Sequence, residues 1–195
     1  MWVFSGVSVL KDFNLLVSTH RNRENECISE LWYHLRELGD PKIQATKTPF
    51  PGLVVAKTRL DPLKVVEAFR ARVRERPWDF RAVLKVVPIE VVVKADIDVI
   101  SETAVRLAKE KISPDETYRV TVNKRGSLIK KRELIDRIAS QLPFKVNLDE
   151  PMKIVQVEII GEYAGISVLS PKDIFSLVKL RRKARFSRVL GEEES

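Results

Sequence analysis

Tyr118-Arg-Val-Thr-Val-Asn-Lys-Arg-Gly-Ser127, followed by Lys130-Lys-Arg-Glu-Leu134, Lys145-Val-Asn-Leu-Asp-Glu-Pro151 and Lys153-Ile-Val-Gln-Val-Glu-Ile-Ile160, decides how this chain is read. Tyr118, Val120 and Val122 alternate with Arg119, Thr121 and Asn123, the period of a strand whose polar set shares one face. A basic turn at Lys124-Arg125-Gly126 follows. Leu134, Ile135, Ile138 and Leu142 then recur at helical spacing, which predicts a helix from about Ile129 to Leu142 that stops before Pro143. Lys153 to Ile160 and Tyr163 to Leu169 read as two strands hinged at Gly161-Glu162.

The charge in this stretch is unusual. Arg119, Lys124, Arg125, Lys130, Lys131 and Arg132 place six cations in fourteen residues, with no acidic residue before Glu133. Cations in the first turn of a helix oppose its dipole and cost roughly 0.3–1 kcal/mol. The same helix start, with free N–H groups and three cations beside it, is suited to a phosphate. A solvated basic face is the plainer reading, and a nucleic-acid backbone site the sharper and favoured one.

Working outward, Asp96 reads as an N-cap, and Ile97, Ile100, Ala104, Leu107 and Ala108 as the buried stripe of a helix ending near Ile112. Pro88 interrupts a β-rich run, so residues 88–95 are expected to be a linker. Before it, a strand over 14–20, a helix from Arg23 to Leu38, strands over 42–48 and 53–58, a helix opened by Asp61-Pro62 and a strand from about Arg81 to Val87 give the order β-α-β-β-α-β. That order is the ferredoxin-like arrangement, two helices on one face of an antiparallel sheet. The basic run Arg70, Arg72, Arg74 and Arg76 closes the second helix, where cations complement the dipole. Ser170-Pro171-Lys172-Asp173 resembles a capped helix start. A basic tail with Lys179, Arg181, Arg182 and Lys183 follows. The fold class expected is α+β, with an N-terminal extension over 1–13, a ferredoxin-like domain over 14–88, a second α/β domain over 89–170 and a basic helix and tail over 171–195.

Composition fits this picture. The 195 residues carry a formal net charge of +8 and a pI near 9.6, which favours a polyanionic partner. Charged residues make up 32%, above the usual quarter, an enrichment that also marks proteins of hot environments. The single cysteine, Cys27, forbids an internal disulfide and fits a reducing cytoplasm, the expected location. Met1 to Leu10 is apolar but too brief to span a bilayer, and no later run is long enough.

Residues arranged for catalysis are few. His20 and His34 are the two histidines, and neither sits in a Cys/His cluster with metal-ligand spacing. No glycine-rich phosphate loop and no Gly-x-Ser-x-Gly elbow occur. Asp149-Glu150 reads as a turn before Pro151, and Asp96 with Asp98 as a helix start. The chain is therefore expected to be no enzyme, with no catalytic residues, metal or cofactor.

The span from about Pro88 to Leu169, with Tyr163-Ala-Gly-Ile-Ser-Val168 as closing strand, resembles a THUMP domain, and the domain before it is similar to the ferredoxin-like domain that commonly precedes THUMP. The resemblance implies tRNA binding at the acceptor stem and 3′ CCA end. Most THUMP proteins carry a methyltransferase, thiouridine synthase or pseudouridine synthase after these domains. This chain is instead similar to the stand-alone adaptor family of tRNA cytidine acetylation, in which a separate acetyltransferase forms N4-acetylcytidine. The partners implied are tRNA and a tRNA acetyltransferase or another modification enzyme, with no membrane. Carried onto this sequence, the RNA-binding set is Arg119, Asn123, Lys124, Arg125, Gly126, Lys130, Lys131 and Arg132, extended by Arg181, Arg182 and Lys183. Gly126 is expected to let the backbone approach a phosphate, and the shortage of aromatic residues for stacking argues for recognition of shape and phosphate over base identity. The alternatives are a protein-interaction scaffold using the basic C-terminal segment and, less favoured, a tRNA-modifying enzyme in its own right.

Overall fold

The computed structural model describes residues 11–182. Two five-stranded sheets carry their helices on their outer sides and meet through the faces that the helices leave open. The first unit runs β1 (Leu15–Ser18), α1 (Glu24–Glu37), β2 (Gln44–Lys47), β3 (Leu53–Lys57), α2 (Pro62–Glu75) and β4 (Lys85–Pro88). These strands are antiparallel and ordered β4-β1-β3-β2, which is the ferredoxin-like topology. Alternation divides the sheet into two faces. Leu15, Val17, Val54, Ala56 and Val86 point to Cys27, Leu31 and Leu35 of α1 and to Val66, Phe69 and Val73 of α2. Leu16, Leu53, Val55 and Val87 point the other way, to Ile89, Ile160 and Leu169. Asp61 caps α2 by accepting from the Leu63 amide at 2.9 Å, with Pro62 at the first helical position.

The second unit comprises β5 (Val91–Lys94), α3 (Ile97–Lys111), β6 (Thr117–Arg125), α4 (Lys131–Ala139), β7 (Lys145–Val146), β8 (Lys153–Ile160) and β9 (Tyr163–Leu169), in the sheet order β5-β9-β8-β6-β7. β6 and β8 are parallel and joined through α4, because parallel neighbours need a crossover. Tyr118 and Val122 pack with Val155, Val157 and Ile159 against Ile100, Ala104 and Leu107 of α3 and Leu134 and Ile138 of α4. β8 is buried on both faces, which its near-continuous apolar run anticipates.

Four elements differ from expectation. Residues 88–95 are not a plain linker, since β5 pairs with β9 from Val91↔Ile166 to Lys94↔Tyr163. Pro88 ends β4, but the β-branched Val91-Val92-Val93 then finds an open edge to extend. The strand expected from Arg81 begins at Lys85, because the Glu30 carboxylate takes the amides of Arg81, Ala82 and Val83 at 2.9–3.0 Å. The second-domain helix opens two residues late, as the Ser127 hydroxyl accepts the Ile129 amide. The capping box at Ser170 is present, yet it opens only one 3-10 turn, Pro171–Asp173. The chain then forms β10 (Phe175–Ser176) on the free edge of β4, before residues 177–182 turn helical. Phe175 is fully buried against Phe69 and Phe80, and that burial outweighs continuation of the helix.

Candidate nucleic-acid interface

β6 sends Arg119, Thr121, Asn123 and Arg125 to the face away from α3 and α4, and β8 lays Gln156 beside Thr121 and Glu158 beside Asn123. Opposite this polar strip stands the open face of the first sheet, with Leu16, Ser18, Leu53, Lys85 and Val87. Between the two walls lies a cleft of about 510 Å³. Four cations line it, Lys124, Arg125 and Lys131 from one unit and Lys85 from the other, against one carboxylate, Glu158. Glu158 is 7% exposed and accepts from Asn123 Nδ2 at 2.9 Å and Gln156 Nε2 at 2.7 Å. These amide donors hold its charge without engaging any of the four cations.

The cations at the cleft mouth are held in different ways. Lys124 Nζ donates to the carbonyls of Ser127 (3.2 Å) and Ile129 (2.8 Å), closing the loop between β6 and α4. An ammonium has three N–H donors, so one remains for an incoming anion. Lys130 is the N-cap of α4 but supplies no capping side chain. The first-turn amides of α4 thus lack a side-chain acceptor just where Lys130, Lys131 and Arg132 are exposed. Arg132, 95% exposed at its side chain, lies 3.9 Å from Asp136, a solvated pair that binds the guanidinium little.

Gly126 also has a steric reason that its sequence neighbourhood does not reveal. Its φ is +62°, and a Cβ there would stand 2.3 Å from Phe50 Cζ and 2.7 Å from Cε1. Phe50 comes from the β2–β3 turn of the first unit, so the glycine makes room for a ring that braces the two units together. Of the remaining expected site residues, Arg119 lies six residues along β6 from Arg125, ~20 Å away at strand rise. It donates through Nη1 to the Leu148 carbonyl at 3.0 Å and leaves Nε buried without a partner. Arg181 is pinned to the first unit, where Nη2 donates to the Pro77 and Phe80 carbonyls at 2.9 Å each. Arg182 is exposed beside it, and Lys183 lies outside the described residues. The structure therefore gathers Asn123, Lys124, Arg125 and Lys131 in the cleft, sets Lys130 and Arg132 beside Lys131 on the same helix start, and holds Arg119, Arg181 and Arg182 elsewhere. Lys85 is the lining residue that sequence reasoning missed. Its signal was a single cation on the face of β4 opposite Val86, which alternation sends away from the helices.

Residues 94–169 match the family model of the THUMP domain. A THUMP domain occupies this part of the chain. No curated protein matches. Among solved structures, the chain is similar to PH1313 from Pyrococcus horikoshii Ot3, with TM-score 0.57 and 18% identity over 81% of this chain and 54% of that one. It is also similar to TrmN from Thermus thermophilus, with TM-score 0.56 and 18% identity over 80% and 45%. A third likeness is to a 4-thiouridine synthetase solved with RNA and bound ATP, with TM-score 0.54 and 11% identity over 85% and 42%. At these identities the likeness is one of fold, and it extends through the first unit as well as the THUMP domain. The chain spans about half the length, or less, of these structures. Among the described residues no helix is long and apolar enough to cross a membrane, and no group of three His, Cys, Asp or Glu side chains is placed to hold a metal ion.

Proposed function

We propose that this chain is a non-catalytic tRNA-binding protein that presents tRNA, by its acceptor stem and 3′ CCA end, to a separate modification enzyme such as a cytidine N4-acetyltransferase. The observation that carries the reading is the cleft between the two sheets, where Lys85, Lys124, Arg125 and Lys131 face one another across a gap with a single, amide-held carboxylate. Clustered cations without matching carboxylates have a physical use when they neutralise phosphates and release the counterions bound there. The THUMP domain supports RNA as the polyanion. The N-terminus of α4 adds oriented amides to the same surface.

The test is nucleoside profiling of tRNA from cells lacking the protein, paired with incubation of purified protein with tRNA and common cofactors. The reading expects N4-acetylcytidine to disappear from the cells and no new nucleoside to form in the tube. A modified nucleoside made by the purified protein alone overturns the non-catalytic part. An intact acetylcytidine level with loss of another modification reassigns the partner enzyme.

A further inference from the structure

Trp78 presents its indole to solvent at 64% exposure on a loop that is anchored on both sides. Before it, Arg181 Nη2 holds the Pro77 carbonyl at 2.9 Å. After it, the Asp79 amide donates to the Arg76 carbonyl at 3.1 Å, and the Asp79 carboxylate accepts from Arg72 Nε at 2.8 Å. Phe80 is fully buried and stacks on His34, ring centroids 4.2 Å apart and 17° between planes. Arg181 also takes the Phe80 carbonyl, and Glu30 holds the three amides that follow. A large apolar ring kept in water by a fixed backbone, with a phenylalanine two residues on already filling the core, has no packing purpose in the described fold.

Its surroundings are cationic. From Arg70 to Arg81 the sequence carries five arginines and two carboxylates, Glu75 and Asp79. Arg72 is paired with both Glu37 and Asp79 and Arg70 donates to the Lys172 carbonyl, while Arg74, Arg76 and Arg81 are exposed. Arg181 reaches the same loop through its contacts with Pro77 and Phe80. We infer that Trp78 is a stacking platform for an unpaired nucleobase of RNA, with the neighbouring arginines taking the flanking phosphates. The inference rests on the RNA-binding reading and adds to it a second contact on the ferredoxin-like unit. Trp78 and Lys85 are seven residues apart, which caps their separation at ~25 Å. The loop packs on the helix-bearing side of the first unit, where Phe80 meets His34 and Phe69, so the stacked base is one that lies outside the cleft. Stacking on an aromatic face is tolerant of base identity and requires the base to be free of a duplex.

The experiment compares Trp78→Ala and Trp78→Phe with the unaltered full chain. Two probes are used, a mixed-sequence single-stranded oligoribonucleotide and a blunt RNA duplex with the same number of phosphates. Trp78→Ala is expected to weaken single-strand binding by roughly 5- to 150-fold, the range for one stacked base. Trp78→Phe is expected to keep most of the affinity, and duplex binding to stay within twofold for both variants. The slope of affinity against salt is expected not to change in Trp78→Ala, because no phosphate contact is lost. Unchanged single-strand affinity in Trp78→Ala overturns the inference and assigns the ring to some other partner, while RNA binding by the unaltered chain leaves the cleft reading standing. An equal loss on the duplex also overturns it. Failure of the unaltered chain to bind either probe removes both readings.

Discussion

Replacing Lys85, Arg125 and Lys131 together with alanine takes away three of the four cations of the cleft and leaves Lys124 to hold its loop. Each phosphate neutralised contributes about 0.7–0.9 to the slope of log affinity against log salt. The triple variant should therefore bind tRNA with a slope shallower by about 2–3 units. If 1 M salt is the point at which counterion release no longer favours binding, the loss is roughly 100- to 500-fold at 0.1 M and only ~5-fold at 0.5 M. Fluorescence anisotropy of labelled tRNA over that range gives both the slope and the loss. Arg125 and Lys131 are exposed and Lys85 half-buried, so the melting temperature should hold, as surface changes of this kind shift stability by about 0.5 kcal/mol or less. Lys85→Ala alone should lower the slope by about 0.7–0.9, although it lies outside the THUMP domain. A triple variant with unaltered slope and affinity refutes the cleft as the binding surface, and a Lys85 variant without effect confines binding to the second unit.

Gly126→Ala should destabilise the protein by about 2 kcal/mol or more in chemical denaturation, from positive φ and overpacking together. In the Phe50→Ala background the steric part of that cost should vanish, which a double-mutant cycle reads directly. His34 is buried with both ring nitrogens unpartnered, and burial, helped by the Arg72 charge, lowers its pKa. Above about pH 6.5 both folded and unfolded states hold the ring neutral. As pH falls below that value the unfolded chain binds a proton that the buried ring refuses, so stability declines toward the lower folded-state pKa. His34→Phe should flatten the stability profile on the acid side and raise stability at neutral pH by ~1 kcal/mol, since two unsatisfied nitrogens leave the core. A parallel decline in both proteins contradicts the assignment.

Much of this arrangement was legible because it is local. Helical spacing in Ile28-Leu31-Leu35 and in Ile100-Ala104-Leu107, the Asp61-Pro62 and Asp96 caps, and alternation in Tyr118–Val122 each depend on residues within one or two turns. The cations of the β6–α4 loop were visible for the same reason. What sequence did not reveal depends on partners far along the chain. β5 and β10 are short edge strands that exist because β9 and β4 offer free edges. Gly126 answers to Phe50, seventy-six positions earlier, and Lys85 acquires a role only when the first sheet turns its open face to β6 and β8. Arg119 and Arg181 show the converse, since charge pattern grouped them with the site while their carbonyl partners hold them apart from it.

One RNA lying between the two units would touch both walls of the cleft. Ultraviolet cross-linking of the full chain to tRNA, with the attached peptides mapped by mass spectrometry, tests it most directly. Adducts are expected on the stretch from Asn123 to Arg132 and, in the same sample, on the peptide that carries Lys85. Adducts confined to the outer faces of α1 and α3, with neither cleft wall labelled, contradict it.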